Sequence, residues 1–140
     1  MSVIVTDTGF GADDWQGAMV DWADETAEAG PGAALDVPSD AAPAALARRA
    51  QAAGMVRIAF PSFADGRGFT LAAALRRAGF TGRLRAKGHV IADQYAMARR
   101  AGFDEVEIDD ALAARQPEDQ WLRRADWQAN DYQARLRGPR

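Results

Sequence analysis

Apolar positions along the chain change period several times, and each change marks an element. Between residues 70 and 79, Leu71, Ala74, Leu75 and Ala78 recur at i, i+3, i+4 and i+7, the one-sided stripe of an amphipathic helix. Residues 91–101 carry the same stripe through Ile91, Tyr95 and Ala98. A further helix opens at Pro43 and carries Leu46, Ala50 and Ala53; proline suits a first helical turn, where its missing N–H goes unused. Between these stretches the period falls to two. Val56, Ile58 and Phe60 alternate with Arg57 and Ala59, Leu84 and Ala86 with Arg83, Arg85 and Lys87, and Val106 and Ile108 with Glu105 and Glu107. Strands are therefore predicted at 56–60, 84–87 and 106–108, and a fourth at 34–37.

The order β-α-β-α-β-α-β implies an α/β fold with a parallel sheet of about four strands joined by right-handed crossovers. Strands that neighbour one another in chain order put all three helices on one face. A sheet covered by helices on both sides reads as continuous apolar runs, whereas these strands alternate. The expected architecture is therefore partial-barrel-like, with helices mainly on one face and a polar second face; the alternative is a three-layer flavodoxin-like arrangement. Candidates to close the polar face are the acidic N-terminal segment with Trp15 and Trp22, a C-terminal helix, or a second copy of the chain. One domain is expected over 1–140: an N-terminal segment 1–33 packing on the core, a β/α core at 34–110, and an amphipathic helix at 117–136. That last helix is read from Leu122, Ala125, Ala129, Tyr132 and Leu136, with Trp121 beside them. Its stripe suits either docking on its own domain or a homodimer contact.

An internal echo supports the repeat. Arg76-Arg77-Ala78-Gly79-Phe80 returns as Arg99-Arg100-Ala101-Gly102-Phe103, with a looser copy in Arg48-Arg49-Ala50 before Gly54-Met55. Each copy ends a helix and precedes a strand. Glycine just past each helix is expected to supply a left-handed cap, and the arginine pairs to complement the negative end of the helix dipole.

Composition narrows the chemistry. The 140 residues are 48% hydrophobic and 26% charged, a globular balance, with 32 alanines and 16 arginines against one lysine. Cysteine is absent and His89 is the only histidine, so thiolate, disulfide, Cys-type zinc and His-rich metal chemistry have no residues to use. No cofactor is predicted. No apolar run approaches the roughly 20 residues of a membrane span, and no signal-like N-terminus is present, so a cytoplasmic location is expected.

The net charge of −3 hides a partition. Residues 1–40 hold nine carboxylates and no basic residue, 41–103 hold eleven basic residues against two acids, and 104–140 hold nine acids against six arginines. An anionic partner for the middle segment is one reading; the simpler one is that acidic flanks fold back and neutralise a basic centre. A slightly acidic chain is a poor nucleic-acid binder.

In parallel β/α folds ligands bind where strands end and helices begin. Two loops qualify: Pro61 to Thr70, and Gly88 to Gln94. Gly66 and Gly68 would let the backbone approach a ligand at a helix start, and Arg67 between them would grip an oxyanion. The loop lacks the third glycine of a dinucleotide fingerprint and the Gly-Lys-Ser/Thr of a P-loop. Asp65 would orient Arg67 or pair with Lys87. The candidate ligand-binding set is Asp65, Gly66, Arg67, Gly68, Thr70, Lys87, His89, Asp93 and Gln94. His89, Asp65 and Asp93 are the candidates for proton transfer. Asp93 serves equally as a first-turn residue. Asp109-Asp110 either completes this rim or caps the segment after the last strand.

With these pieces on one segment, the chain resembles a bacterial family of unknown function, DUF934, whose members commonly carry the label of an oxidoreductase involved in sulfite reduction. The resemblance rests on Phe60-Pro61, Ala64-Asp65-Gly66-Arg67-Gly68-Phe69, residues 82–86, Asp93-Gln94 and residues 100–104, and reaches forward to Asp13-Asp14-Trp15 and residues 35–40. The chain departs at Gly88-His89, where the family form is Gly-Asp, so the resemblance assigns His89 no role. What it implies is gene partnership with an assimilatory sulfite or nitrite reductase, without a mechanism.

Three functions stand as expectations. The first is an accessory protein of sulfite reduction that binds a small oxyanion-bearing ligand or the reductase at the rim. The second is a small β/α enzyme acting on a sulfate- or phosphate-bearing metabolite, with Arg67 and Lys87 holding the anion. The third is a ligand-free oligomeric scaffold.

Overall fold

The structure is a computed structural model, and it describes residues 2–128. Seven strands form one sheet: β1 (Ser2–Thr6), β2 (Gly9–Gly11), β3 (Ala18–Asp21), β4 (Ala33–Val37), β5 (Met55–Phe60), β6 (Arg83–Gly88) and β7 (Glu105–Asp109). Their spatial order is β2-β1-β7-β6-β5-β4-β3. The four predicted strands are β4 to β7, parallel and in sequence order. The N-terminal segment adds three more, where a packed-on segment was expected. β3 extends the parallel sheet beyond β4, while β1 pairs antiparallel with β7 and with β2. Sequential order gives no strand-order reversal of the doubly wound kind.

Helices α1 (Pro43–Arg49), α2 (Arg67–Arg77) and α3 (Tyr95–Ala101) connect the parallel strands and pack side by side. They cover the face bearing Leu35, Val56, Ile58, Phe60, Leu84, Val106 and Ile108, all buried in one core. At its centre Phe60 stacks against Phe69 of α2 and Phe103, with ring centroids 4.9 and 5.7 Å apart. A 3-10 turn, Ala92–Gln94, leads into α3. The chain then runs through α4 (Asp110–Arg115), capped by the Asp109 carboxylate, which accepts from Leu112 N at 2.7 Å. Asp109 is thus a cap.

The last described helix, α5, spans Glu118–Leu122, much shorter than the predicted 117–136. Its anchor is Trp121, fully buried, with its indole donating to Gln116 O at 2.8 Å and its ring edge-on to Tyr95. Leu122, first in the predicted stripe, is exposed; burying the larger aromatic with its N–H satisfied wins over the leucine. Ala129, Tyr132 and Leu136 lie outside the described residues.

The echoed arginines do more than meet a dipole. Arg76 donates to Phe80 O at 3.1 Å, and Arg99 makes the same i to i+4 bond to Phe103 O at 2.5 Å. Arg76 also reaches Gly82 O and Gly102 O, tying one repeat to the next. Gly79 and Gly102 supply left-handed caps at φ 100° and 119°. Gly54 does not have positive φ; a Cβ there would lie 2.1 Å from Pro31 O, so glycine is required by close backbone approach.

Candidate functional site

The sheet face opposite the helices is polar, as the alternation predicted, and its two ends differ. Near the N-terminal ends of the strands, Arg85 is 0% exposed and surrounded by carboxylates. Its guanidinium donates to Glu105 at 2.6 Å, Glu107 at 2.9 Å and Asp13 at 3.0 Å. Arg83 binds Glu105 through two bonds and pairs with Asp14. Arg57 bridges Asp36, through both carboxylate oxygens, to Glu107. Every buried side-chain polar atom among the described residues has a partner. Asp13 and Asp14 come from the loop after β2, where Trp15 lies over Gly54. Acidic flanks thus do fold onto the basic centre, and Asp7–Arg99 and Asp104–Arg76 pairs extend the pattern. The bond from Arg85 holds the Asp13 carboxyl below its ordinary range against the opposing effect of burial.

The predicted loops lie at the opposite, C-terminal rim. Asp65 is the hub of the first: it accepts from Arg67 Nε at 3.0 Å, Arg67 Nη2 at 2.8 Å, Arg67 N at 3.1 Å and Ser39 Oγ at 3.1 Å. Arg67 Nη2 also reaches Ser39 Oγ at 3.0 Å. Of the two roles expected for Asp65, orienting Arg67 is the one seen. The Arg67 bonds hold the Asp65 carboxyl well below the usual carboxylate range, which suits an anchored counter-ion and makes it a poor proton shuttle. Arg67 remains 59% exposed at its side chain, yet Asp65 neutralises it and Asp40 adds negative potential.

The glycines divide. Gly66 is the N-cap position of α2, where a Cβ would make only an ordinary contact, 4.0 Å from the Phe69 ring. Gly68 is buried, and a Cβ there would meet the Phe60 ring at 2.4 Å. Helix packing on Phe60 therefore requires that glycine, and Phe60 fills the space expected for ligand approach. Thr70 is exposed one turn into α2.

In the second loop, Gly88 has φ 120° and sits against Phe60 O, where a Cβ would come within 2.5 Å. That geometry lets His89 N donate to Phe60 O at 2.9 Å, joining the two loops. Gln94 joins them again: its Nε2 donates to Phe63 O at 2.7 Å while its Oε1 accepts from Ile91 N at 3.1 Å. Asp93 is the middle residue of the 3-10 turn and pairs with Arg124 at 2.7 Å. Lys87 and the His89 side chain are exposed and have no side-chain partner among the described residues. No group of three His, Asp or Glu among the described residues converges as a metal-binding set.

Four residues at this rim escaped the sequence reading. Ser39, in the loop after β4, would have been found by applying the strand-end rule to a third loop. Gln116, whose Oε1 accepts from Ala92 N at 2.6 Å, and Arg124 come from the far end of the chain. Phe63 is the fourth: the residue is 62% exposed although its carbonyl is pinned by Gln94.

The model of one family, described as a bacterial protein of unknown function (DUF934), matches residues 34–140. No curated protein and no solved structure matches the chain.

Proposed function

The chain belongs to this bacterial family of unknown function, and from that premise we propose that it is an accessory protein of sulfite reduction that docks on the reductase through the C-terminal rim of its sheet. The link to sulfite reduction comes from the label that family members carry. Docking is supported by one observation above the others, the exposed Phe63 ring on a loop fixed from both sides. Gln94 holds its carbonyl, and Ser62 turns the loop by accepting from Ala64 N and, through its carbonyl, from Asp65 N. A large exposed aromatic on a pre-ordered loop is the feature that anchors protein interfaces, because little conformational freedom is lost on contact. Met97 is also exposed, three residues beyond Gln94 on α3, so it shares Gln94's side of the helix. Lys87, His89 and Arg67 add polar groups of the kind that rim such a patch.

A small oxyanion at the same rim is the second reading, favoured by the exposed Lys87 ammonium, which has no partner among the described residues. The Asp65 carboxylate bound to Arg67 opposes it, because an arriving anion would have to compete with a carboxylate already bound bidentately. Titration calorimetry of the full chain against purified assimilatory sulfite reductase separates the two. Docking is expected to give saturable binding that Phe63→Ser abolishes and Arg67→Ala leaves largely intact. Small-oxyanion binding is expected to give a melting-temperature rise with sulfite or adenylyl sulfate that Lys87→Ala removes.

A further inference from the structure

The two edges of the sheet are finished differently. At one edge β2 is three residues long, and its Phe10 N–H is occupied by the Glu118 carboxylate at 2.8 Å. At the other, β3 pairs among the described residues only with β4. Trp22 N donates to Asp36 O at 2.9 Å, so by alternation Met19 and Asp21 turn their backbone groups outward. Asp21 O is taken by Asp24 N, which leaves Met19 N–H, Met19 C=O and Asp21 N–H open along the edge. β3 carries none of the lysines, prolines or bulges that block an edge from further pairing. We infer that this edge takes an added strand from a second copy of the chain, residues 132–137 of its C-terminal tail. The assembly is independent of the docking proposed at the rim.

Pattern, charge and reach select that occupant. Tyr132, Ala134 and Leu136 alternate with Gln133, Arg135 and Arg137, the period of a strand with one apolar face, and Gly138-Pro139 closes the run. The edge has two matching faces. Val20 is level with Leu35 and packs against the core, whereas Met19 and Asp21 stand on the polar face level with Ala34 and Asp36. An added strand therefore lays its apolar side chains beyond Val20 and its arginines beside Asp21. Asp21, Asp24, Glu25 and Glu28 are exposed here and form no ion pair among the described residues. Arg49, which binds the carbonyls of Trp22 and Asp24, offsets one of them. Residues 129–140 hold three arginines against one aspartate. The acidic edge thus disfavours pairing with another β3 and favours a basic strand.

Reach makes the donor a second copy. The described residues end beside α3, where Trp127 O accepts from Arg100 at 3.2 Å and the Trp127 indole meets Asp7, the residue after β1. A strand added to β3 stands four strand spacings beyond β6, about 19 Å along the sheet. Five residue steps from Trp127 to Tyr132 span at most about 18 Å in a straight line, and α2 and α1 stand in that line. The tail falls short of its own β3, so pairing requires exchange between copies.

The experiment follows the full chain by sedimentation equilibrium and by amide hydrogen exchange. Wild type is expected to self-associate, with the outward Met19 and Asp21 amides protected alongside the Trp22 amide bonded within the sheet. The double substitution Arg135→Glu and Arg137→Glu is expected to abolish association and expose those two amides while Trp22 stays protected. Met19→Pro removes an outward donor at an edge position that tolerates proline, and is expected to weaken association at least about tenfold, the worth of one interstrand bond. If Met19→Pro lowers the urea midpoint, the tail variant carries the test. An acetylated, amidated peptide of residues 131–137 is expected to drive wild type toward monomer by occupying β3. A monomer at the highest soluble concentration, with both outward amides exchanging fast, overturns the inference. So does association that the tail variant leaves intact. Protection of both amides in a monomer, removed by the tail variant, would put the tail on its own β3 and overturn the second copy.

Discussion

Arg85 and Lys87 stand two residues apart on the same face of β6, and their surroundings are opposite. Arg85 is sealed beneath the loop after β2 and holds three carboxylates. Lys87 is exposed at the C-terminal end of the strand with no partner among the described residues. The same residue class at the same sheet position is thus structural at one end of the strand and available at the other. What differs is which loop covers it. Loops at the N-terminal ends of the strands bring Asp13, Asp14 and Trp15 over the polar face, whereas the C-terminal loops bond mainly to one another. Stability is concentrated at one end of the polar face, and candidate recognition at the other.

The contrast breaks most sharply at Arg85. Replacing it with alanine takes one of two arginines from each of the buried Glu105 and Glu107 carboxylates, which keep only Arg83 and Arg57, and breaking a buried ion-pair network in this way costs up to about 3–5 kcal/mol. Urea unfolding is expected to show that loss, or soluble yield to collapse, while Lys87→Ala stays within about 0.5 kcal/mol of wild type, as exposed substitutions do. Comparable losses at the two positions would erase the distinction.

A smaller effect is expected at the glycines, where rim and core meet. Gly68→Ala forces a methyl into the Phe60 ring, and overpacking of this kind costs about 1–3 kcal/mol. Gly66→Ala makes only an ordinary contact with Phe69 and is expected to be nearly neutral. If both proved neutral, Gly68 would be free for ligand approach, as the sequence alone implied.

Acid sharpens the comparison further. Asp13 has its folded-state carboxyl lowered, by the Arg85 bond above all, so it binds protons more weakly folded than unfolded. Its contribution is therefore complete above the unfolded value near 3.9 and is lost as pH falls through the lower folded value. Asp13→Asn is expected to lower stability at neutral pH, where the ionised Asp13 contributes in full, and to flatten the acid limb below about pH 4 so that variant and wild type converge there. Asp65 has the same sign through Arg67. An acid limb that Asp13→Asn left unchanged would detach the Asp13 bond from the stability of the sealed end.

The parallel core was legible because its signals are local. A period of two in Val56, Ile58 and Phe60 and a helical stripe through Leu71, Leu75 and Ala78 need no distant partner to interpret. The N-terminal strands were not legible for the converse reason. Ser2–Thr6 becomes a strand by pairing Val3 with Ile108 and Val5 with Val106, a hundred residues away in sequence, and Ala18–Asp21 is an exposed edge with no buried alternation to read. At the rim, the strand-end rule located the loops that carry Asp65, Arg67 and Gln94. Which group neutralises which was hidden, because Ser39, Gln116 and Arg124 reach the rim only through the fold. Gly68 carried two meanings in sequence, close approach to a ligand or to a ring, and only the Phe60 contact distinguishes them.

The central claim is that the end bearing Lys87 and Phe63 is a docking surface while the end bearing Arg85 is a structural clasp. Calorimetric titration of the full chain into purified assimilatory sulfite reductase tests it most directly, with Phe63→Ser checked for an unchanged urea midpoint. Saturable binding by wild type, lost in a fully stable Phe63→Ser protein, is the outcome expected. Absence of binding, or binding that Phe63→Ser leaves intact, would contradict the claim.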